Sequence, residues 1–186
     1  MVHITVWNDY ICPWAYAARP QTAWLRQRIA ELPDSSSVEL TVRGFELHPD
    51  LPLEGRPVRP GGRLDQVFDH IASECDARGQ DFVKPIRTPN SRRVLALAEL
   101  VQAQHGEAFD DFDEAAARAH WVDGRRLDDD GVLIDLLESS GIGRSLMASI
   151  DGEGVELLDD ARRVAMEVGA TATPSWQIGD LVVTGL

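Results

Sequence analysis

The spacing of apolar positions changes period twice within the first fifty residues. Ile4 and Val6 alternate with polar neighbours in "HITVWND", a stretch rich in β-branched and aromatic residues, which predicts a strand entering the core. From Pro13 to about Leu32 the positions Trp14, Ala17, Ala18, Trp24, Leu25, Ile29 and Leu32 have helical spacing, and proline is well tolerated at the first helical position. "LPDSSS" breaks that helix, and "VELTVRGFEL" alternates again at Val38, Leu40 and Val42. Strand, helix and strand in this order predict a βαβ unit, with parallel strands and a right-handed crossover.

Residues 49 to 63 are rich in proline and glycine and read as a loop. A long helical region follows. Leu64, Val67, Phe68, Ile71, Ala72 and Cys75 share one face, and Asn90-Ser91 can cap a second helix that carries Val94, Leu95, Leu97, Ala98, Leu100 and Val101. "FDEAAARAHW" predicts a third helix. "DDDGVLIDLLESSGI" predicts a fourth, with Asp128 to Gly131 as its N-terminal cap. Val155 to Val168 is amphipathic. "TATPSWQIGDLVVTGL" closes the pattern with two short strands around Gly179-Asp180. The expected architecture is α/β: a mixed sheet built from both ends of the chain, split in sequence by a helical insertion.

The 186 residues suffice for a core without disulfide staples, and the two cysteines, Cys12 and Cys75, do not make a secreted disulfide framework. No basic segment leads into an apolar run near the N-terminus, and no stretch approaches the length of a membrane helix. These features predict a soluble, cytoplasmic protein without a membrane partner. A formal net charge of −13 argues against nucleic acid as a partner. Charge is uneven, since residues 55 to 93 carry eight basic side chains against five acidic ones. The histidines His3, His48, His70, His105 and His120 are scattered without zinc-ligand spacing, so no metal site is expected; His48 and His120 could line a cleft.

Chemistry concentrates at "YICPWAY". Cys12 falls at the start of the first helix, where unsatisfied N–H groups and the positive end of the dipole favour a thiolate, which predicts a lowered thiol pKa and a nucleophile. Ala15 stands where a C-x-x-C motif has its second cysteine, so no one-turn disulfide can close. Cys75, on the apolar stripe of its helix, reads as a buried small hydrophobe. Trp14 and Tyr16 offer an aromatic wall for a ligand.

"VWNDYICPWAY", "FELHPD", "TPNSRRVLALAEL", "HWVDGRRLDDDGVL" and "GATATPSWQIGD", in this order along the whole chain, resemble the cytosolic, FrnE-like branch of the DsbA family. The chain is more distantly similar to kappa-class glutathione transferases and 2-hydroxychromene-2-carboxylate isomerases. The resemblance implies a thioredoxin-like fold over residues 1–48 and 152–186, with a helical domain inserted at 49–151. It also implies a cis-proline at Pro174, with the Thr173 backbone facing Cys12. Relatives continue past "VVTGL" into a final helix, so the expectation is either that one face of the sheet lacks cover or that the sequence is incomplete. The implied activity is thiol–disulfide exchange through a single cysteine in a Cys12-Pro13-Trp14-Ala15 motif, by a mixed disulfide with a protein or small-molecule thiol. No bound cofactor is expected; glutathione or another low-molecular-weight thiol would act as co-substrate. Arginines of the basic island around Lys84 and Arg87, Arg92 and Arg93 above all, are expected to hold its carboxylates. Two alternatives stay open: a thiol-dependent isomerase or transferase on a small organic substrate, and a redox-inactive binding module using the cleft at Pro174. Monomer and homodimer are both compatible with the sequence.

Overall fold

The computed structural model describes residues 1–185. The first βαβ unit consists of β1 (Val2–Asn8), two helical pieces α1 (Pro13–Ala17) and α2 (Arg19–Ala30), and β2 (Val38–Gly44). β1 and β2 pair in parallel from Val2 opposite Val38 to Asn8 opposite Gly44. β3 (Arg56–Pro57), α3 (Arg63–Ala77), β4 (Arg87–Thr88), α4 (Arg92–Gln104), α5 (Phe109–Trp121) and α6 (Asp130–Ser139) follow. The chain returns through α7 (Val155–Glu167) to β5 (Ser175–Ile178) and β6 (Leu181–Thr184). The four-stranded sheet has the order β2-β1-β5-β6, with β5 antiparallel to β1, so it is a mixed sheet made from both chain ends. Gly179, at a φ of 58°, makes the left-handed turn of the final hairpin.

Three layers of contact hold the parts together. Val6 and Val42 of the sheet join Leu95, Leu100, Phe112, Leu133 and Leu158 in the largest apolar cluster, which spans sheet and helical region. Trp7 and Phe45 pack on Ala161 and Ala165 of α7. Tyr16 and Ala17 pack on Phe68, Ile71 and Cys75 of α3 and on Trp121 of α5, which fixes α1 against the helical layer. Gly44 allows the close approach of β2 to α7: a Cβ there would lie 2.8 Å from Leu158 Cδ1.

The fold departs from the sequence reading in three places. The helix expected from Pro13 to Leu32 is broken at Ala18, because Pro20 has no N–H to give to the Tyr16 carbonyl. That carbonyl accepts instead from Gln80 Nε2 at 2.9 Å, and the Ala17 carbonyl accepts from Arg78 Nη1 at 3.0 Å. The expected core stripe of α2 is not buried; Trp24 is 62% exposed, and no residue of α2 is fully buried. Ion pairs from Arg19 to Asp113 and Glu114 and from Arg26 to Asp110 hold α2 to α5. The region read as a loop also contributes β3, paired with β4 in a two-stranded ladder. The capping expected at Asp128 to Gly131 is made by Asp129, whose Oδ1 accepts from Val132 N at 3.2 Å.

Candidate active site

At the end of β1 the chain must turn to enter α1, and Asp9 shapes the turn. Its buried carboxylate accepts from Ile11 N at 3.2 Å, Leu47 N at 2.9 Å and Ser91 Oγ at 3.2 Å. The Asp9 carbonyl accepts from Cys12 N at 2.9 Å. One side chain thus ties the turn to the exit of β2 and to the start of α4. Cys12 becomes the N-cap of α1, with extended φ −82° and ψ 114°, and Pro13 takes the first helical position.

Across from this turn, the Thr173-Pro174 peptide is cis and leads into β5. Cys12 Sγ donates to the Thr173 carbonyl at 3.2 Å. Cysteine and proline loop, 161 residues apart in sequence, are therefore in direct contact. Only 3% of Cys12 is exposed.

That burial reverses the expected electrostatics. Desolvation pushes the Cys12 thiol up from its ordinary value and the nearby Asp9 charge adds to it; the Thr173 side chain and the backbone N–H groups of Ala15 and Trp14 pull it down by less. The lowered pKa expected from the N-cap position is not found. Helix-end stabilisation of a thiolate is opposed here by removal of the sulfur from water. Asp9 shows the same competition: its donors favour the carboxylate, but burial outweighs them and raises its pKa to about 6.

Trp14 is 36% exposed beside the thiol, with its ring centroid 5.5 Å from that of His70 in α3. Tyr16 is buried and lines a cavity together with Ala15 and Pro174. Its ring stacks on Trp121 at 5.5 Å, and its hydroxyl donates to the Asp81 carbonyl. Ala15 is buried one turn after Cys12 and lines a cavity with Pro174. Cys75 is wholly buried in the α3 cluster, as its stripe position suggested.

Arg92 and Arg93 are turned to the chain's own acids. Arg92 bonds Glu46 at 2.8 Å and Asp159 at 2.9 Å, while Arg93 pairs with Asp130 and with Asp151 at 3.3 Å. Both guanidiniums are engaged within the chain, where they tie α4 to the exit of β2, to α6 and to α7. His48 is exposed. His120 is buried, and desolvation lowers its pKa to about 4, so it is neutral near pH 7. Among the described residues, no three His, Cys, Asp or Glu side chains gather as a metal site. No helix among them is long and apolar enough to cross a membrane.

The family model of the DSBA-like thioredoxin domain matches residues 3–186. The chain belongs to this family. A curated relative, the uncharacterized protein YwbO of Bacillus subtilis (strain 168), is 23% identical over 190 residues, covering 99% of this chain and 90% of YwbO. The probable DsbA oxidoreductase SCO1869 from Streptomyces coelicolor superposes with a TM-score of 0.82 at 20% identity, over all of this chain and 84% of that one. The cytosolic disulfide reductase DsbM from Pseudomonas aeruginosa, in a structure with GSH, gives 0.68 at 21% identity, over 97% of this chain and 88% of DsbM.

Within this DSBA-like frame, the assembled groups are one buried thiol, one proline-loop carbonyl and one partly exposed tryptophan. Such a set can perform nucleophilic exchange at sulfur once the thiol is deprotonated. The sequence reading missed Asp9. An acid three residues before the cysteine, in the turn leaving a strand, was the signal available for it.

Proposed function

We propose that this chain catalyses thiol–disulfide exchange through Cys12 alone, in solution in the cytoplasm. The observation that carries the reading is the contact of Cys12 Sγ with the Thr173 carbonyl at the head of α1, where the next turn offers Ala15 and no second thiol. Cys12, once deprotonated, attacks one sulfur of a substrate disulfide. A Cys12–substrate S–S bond forms, the original S–S bond breaks, and the other sulfur leaves as a thiolate that takes up a proton. A low-molecular-weight thiol then attacks the mixed disulfide and frees Cys12, carrying the substrate-derived sulfur away in a new disulfide. Glutathione is the first such thiol to test, a choice supported by the GSH in the DsbM structure.

The Thr173 carbonyl, which accepts from the resting thiol, is a backbone acceptor beside the reacting sulfur that an extended substrate N–H can use in turn. Trp14 supplies apolar contact at the rim. The test is multiple-turnover removal of glutathione from a glutathionylated peptide, with glutathione as the second substrate. Activity abolished in Cys12→Ser and unchanged in Cys75→Ser supports the proposal; activity that survives Cys12→Ser contradicts it.

A second reading rests on the burial of Cys12 and the upward push on its thiol. In it the cleft at Pro174 binds an extended chain and the sulfur performs no exchange. Peptide binding that persists in Cys12→Ser, with no turnover by the wild type, would favour this reading.

A further inference from the structure

Among the described residues, the lysine and the arginines pair with the chain's own acids almost throughout; Arg56, Arg59, Arg63, Arg87 and Arg162 are the ones without an acidic partner. Three of them stand together in "GRPVRPGGR", a stretch with no acid in a chain of net charge −13. Arg56, Arg59 and Arg63 are all exposed. Asp65 and Asp69, in the first turns of α3, do not offset them, because Lys84 takes both at 2.7 and 2.6 Å.

The backbone of this stretch is held without a ligand. Arg56 and Pro57 form β3 against β4, Val58 N donates to the Ile86 carbonyl at 2.9 Å, and Val58 packs on the cluster of Tyr16, Phe68 and Trp121. Arg87 donates to the Glu54 carbonyl. Gly62 N donates to the Arg59 carbonyl at 3.0 Å, closing the turn that leads into α3, of which Arg63 is the first residue. Order of this kind lowers the entropy cost of docking.

The helix pair aims the stretch at the thiol. Trp14, beside Cys12, meets His70 of α3 with ring centroids 5.5 Å apart, and farther along α1 the Ala17 carbonyl accepts from Arg78 at the end of α3. The two helices therefore run in the same direction, and the first turns of α3 extend past the Cys12 end of α1. Arg63 and His70 are both exposed and two turns apart on one side of α3, a rise of about 10 Å. An extended chain seated at Cys12 would reach the arginines about four to seven residues from its own cysteine. Guanidiniums without an acid are matched by carboxylates. The rest of the chain repels an acidic segment, and screening over about 8 Å at physiological salt confines the attraction to this ridge.

We propose that Arg56, Arg59 and Arg63 form a docking ridge for acidic segments of the polypeptides whose sulfur Cys12 engages. The chemistry rests on the exchange reading above; the docking is measurable without it.

The test compares two glutathionylated peptides, each with one cysteine flanked at about four to seven residues on either side, by glutamates in one and by glutamines in the other. At low salt the wild type should turn over the glutamate peptide with a kcat/KM about tenfold higher, each exposed pair adding roughly two- to threefold. Arg56→Gln, Arg59→Gln and Arg63→Gln combined should abolish the preference. Arg28→Gln, Arg144→Gln and Arg163→Gln combined, an equal change of charge at exposed positions elsewhere, should keep it. Binding of both peptides to Cys12→Ser protein, with and without the ridge substitutions and read by fluorescence anisotropy, should follow the same order. If neither peptide is turned over, the exchange reading fails and anisotropy alone decides the ridge. Equal affinity for the two peptides, no binding of either, a preference that survives in the ridge variant, or one lost equally in the control variant would overturn the proposal.

Discussion

At Cys12 two effects of opposite sign meet: backbone N–H groups at the helix start favour the thiolate, and burial disfavours it more strongly. Iodoacetamide should therefore alkylate Cys12 at a rate that keeps rising above the free-cysteine value of about 8.5, read by mass spectrometry against Cys75. A plateau below that pH would show the burial argument to be wrong. Asp9 and His120 make a second prediction at this scale. Asp9 has a folded pKa of about 6, above its ordinary 3.8. Its contribution to stability is therefore full below pH 3.8 and lost as pH rises through 6, by on the order of 3 kcal/mol. His120, lowered from 6.5 to about 4, acts in the reverse sense: its contribution is present above 6.5 and lost as pH falls through 4. The two oppose each other between about pH 4 and 6. Urea denaturation should show Asp9→Asn losing more stability than wild type on acidification across that window, and His120→Asn losing less. Parallel profiles for all three would contradict both assignments.

At the scale of elements, strand, cysteine and helix were legible in "HITVWNDYICPWAY" because alternation, proline at the first helical position and the turn all agree locally. The break at Ala18 was not, since helical spacing counts apolar positions and cannot show that Gln80 and Arg78 will take the carbonyls Pro20 leaves over. Nor could spacing reveal what lies opposite α2, none of whose apolar residues is fully buried. The partners of the basic cluster were hidden for a similar reason. Arg92 and Arg93 were visible, but their partners Glu46, Asp159, Asp130 and Asp151 are distant in sequence and show no pairing signal. Arg92→Ala should destabilise the fold by roughly 2–3 kcal/mol in chemical denaturation, because Glu46 is left buried without its cation. Glutathione affinity should not change; a loss of affinity at unchanged stability would return the ligand role to Arg92. Ala15→Cys should close a disulfide with Cys12 across the first turn of α1, since the adjoining cavity has room for a sulfur. Thiol counting of the unfolded, oxidised variant would find one free cysteine, Cys75. Three free cysteines would mean the turn cannot close.

For the molecule as a whole, hydrogen bonds beside Cys12 add to the apolar cluster that joins the mixed sheet to the helical layer: Asp9 reaches Leu47 and Ser91, and Trp121 Nε1 donates to the Tyr10 carbonyl at 2.8 Å. The DSBA-like architecture was readable from the order of motifs along the chain, whereas the state of the thiol depended on burial that appears only when residues 9–12 and 173–174 are brought together. This buried sulfur, alone in its motif, is expected to exchange nonetheless. Its most direct test is intact-protein mass spectrometry of the native chain after incubation with glutathione disulfide over a range of pH, followed by addition of reduced glutathione. One glutathione should join Cys12 alone, faster as pH rises, and be released by the reduced thiol. A chain that stays unmodified across the range while remaining folded would contradict it.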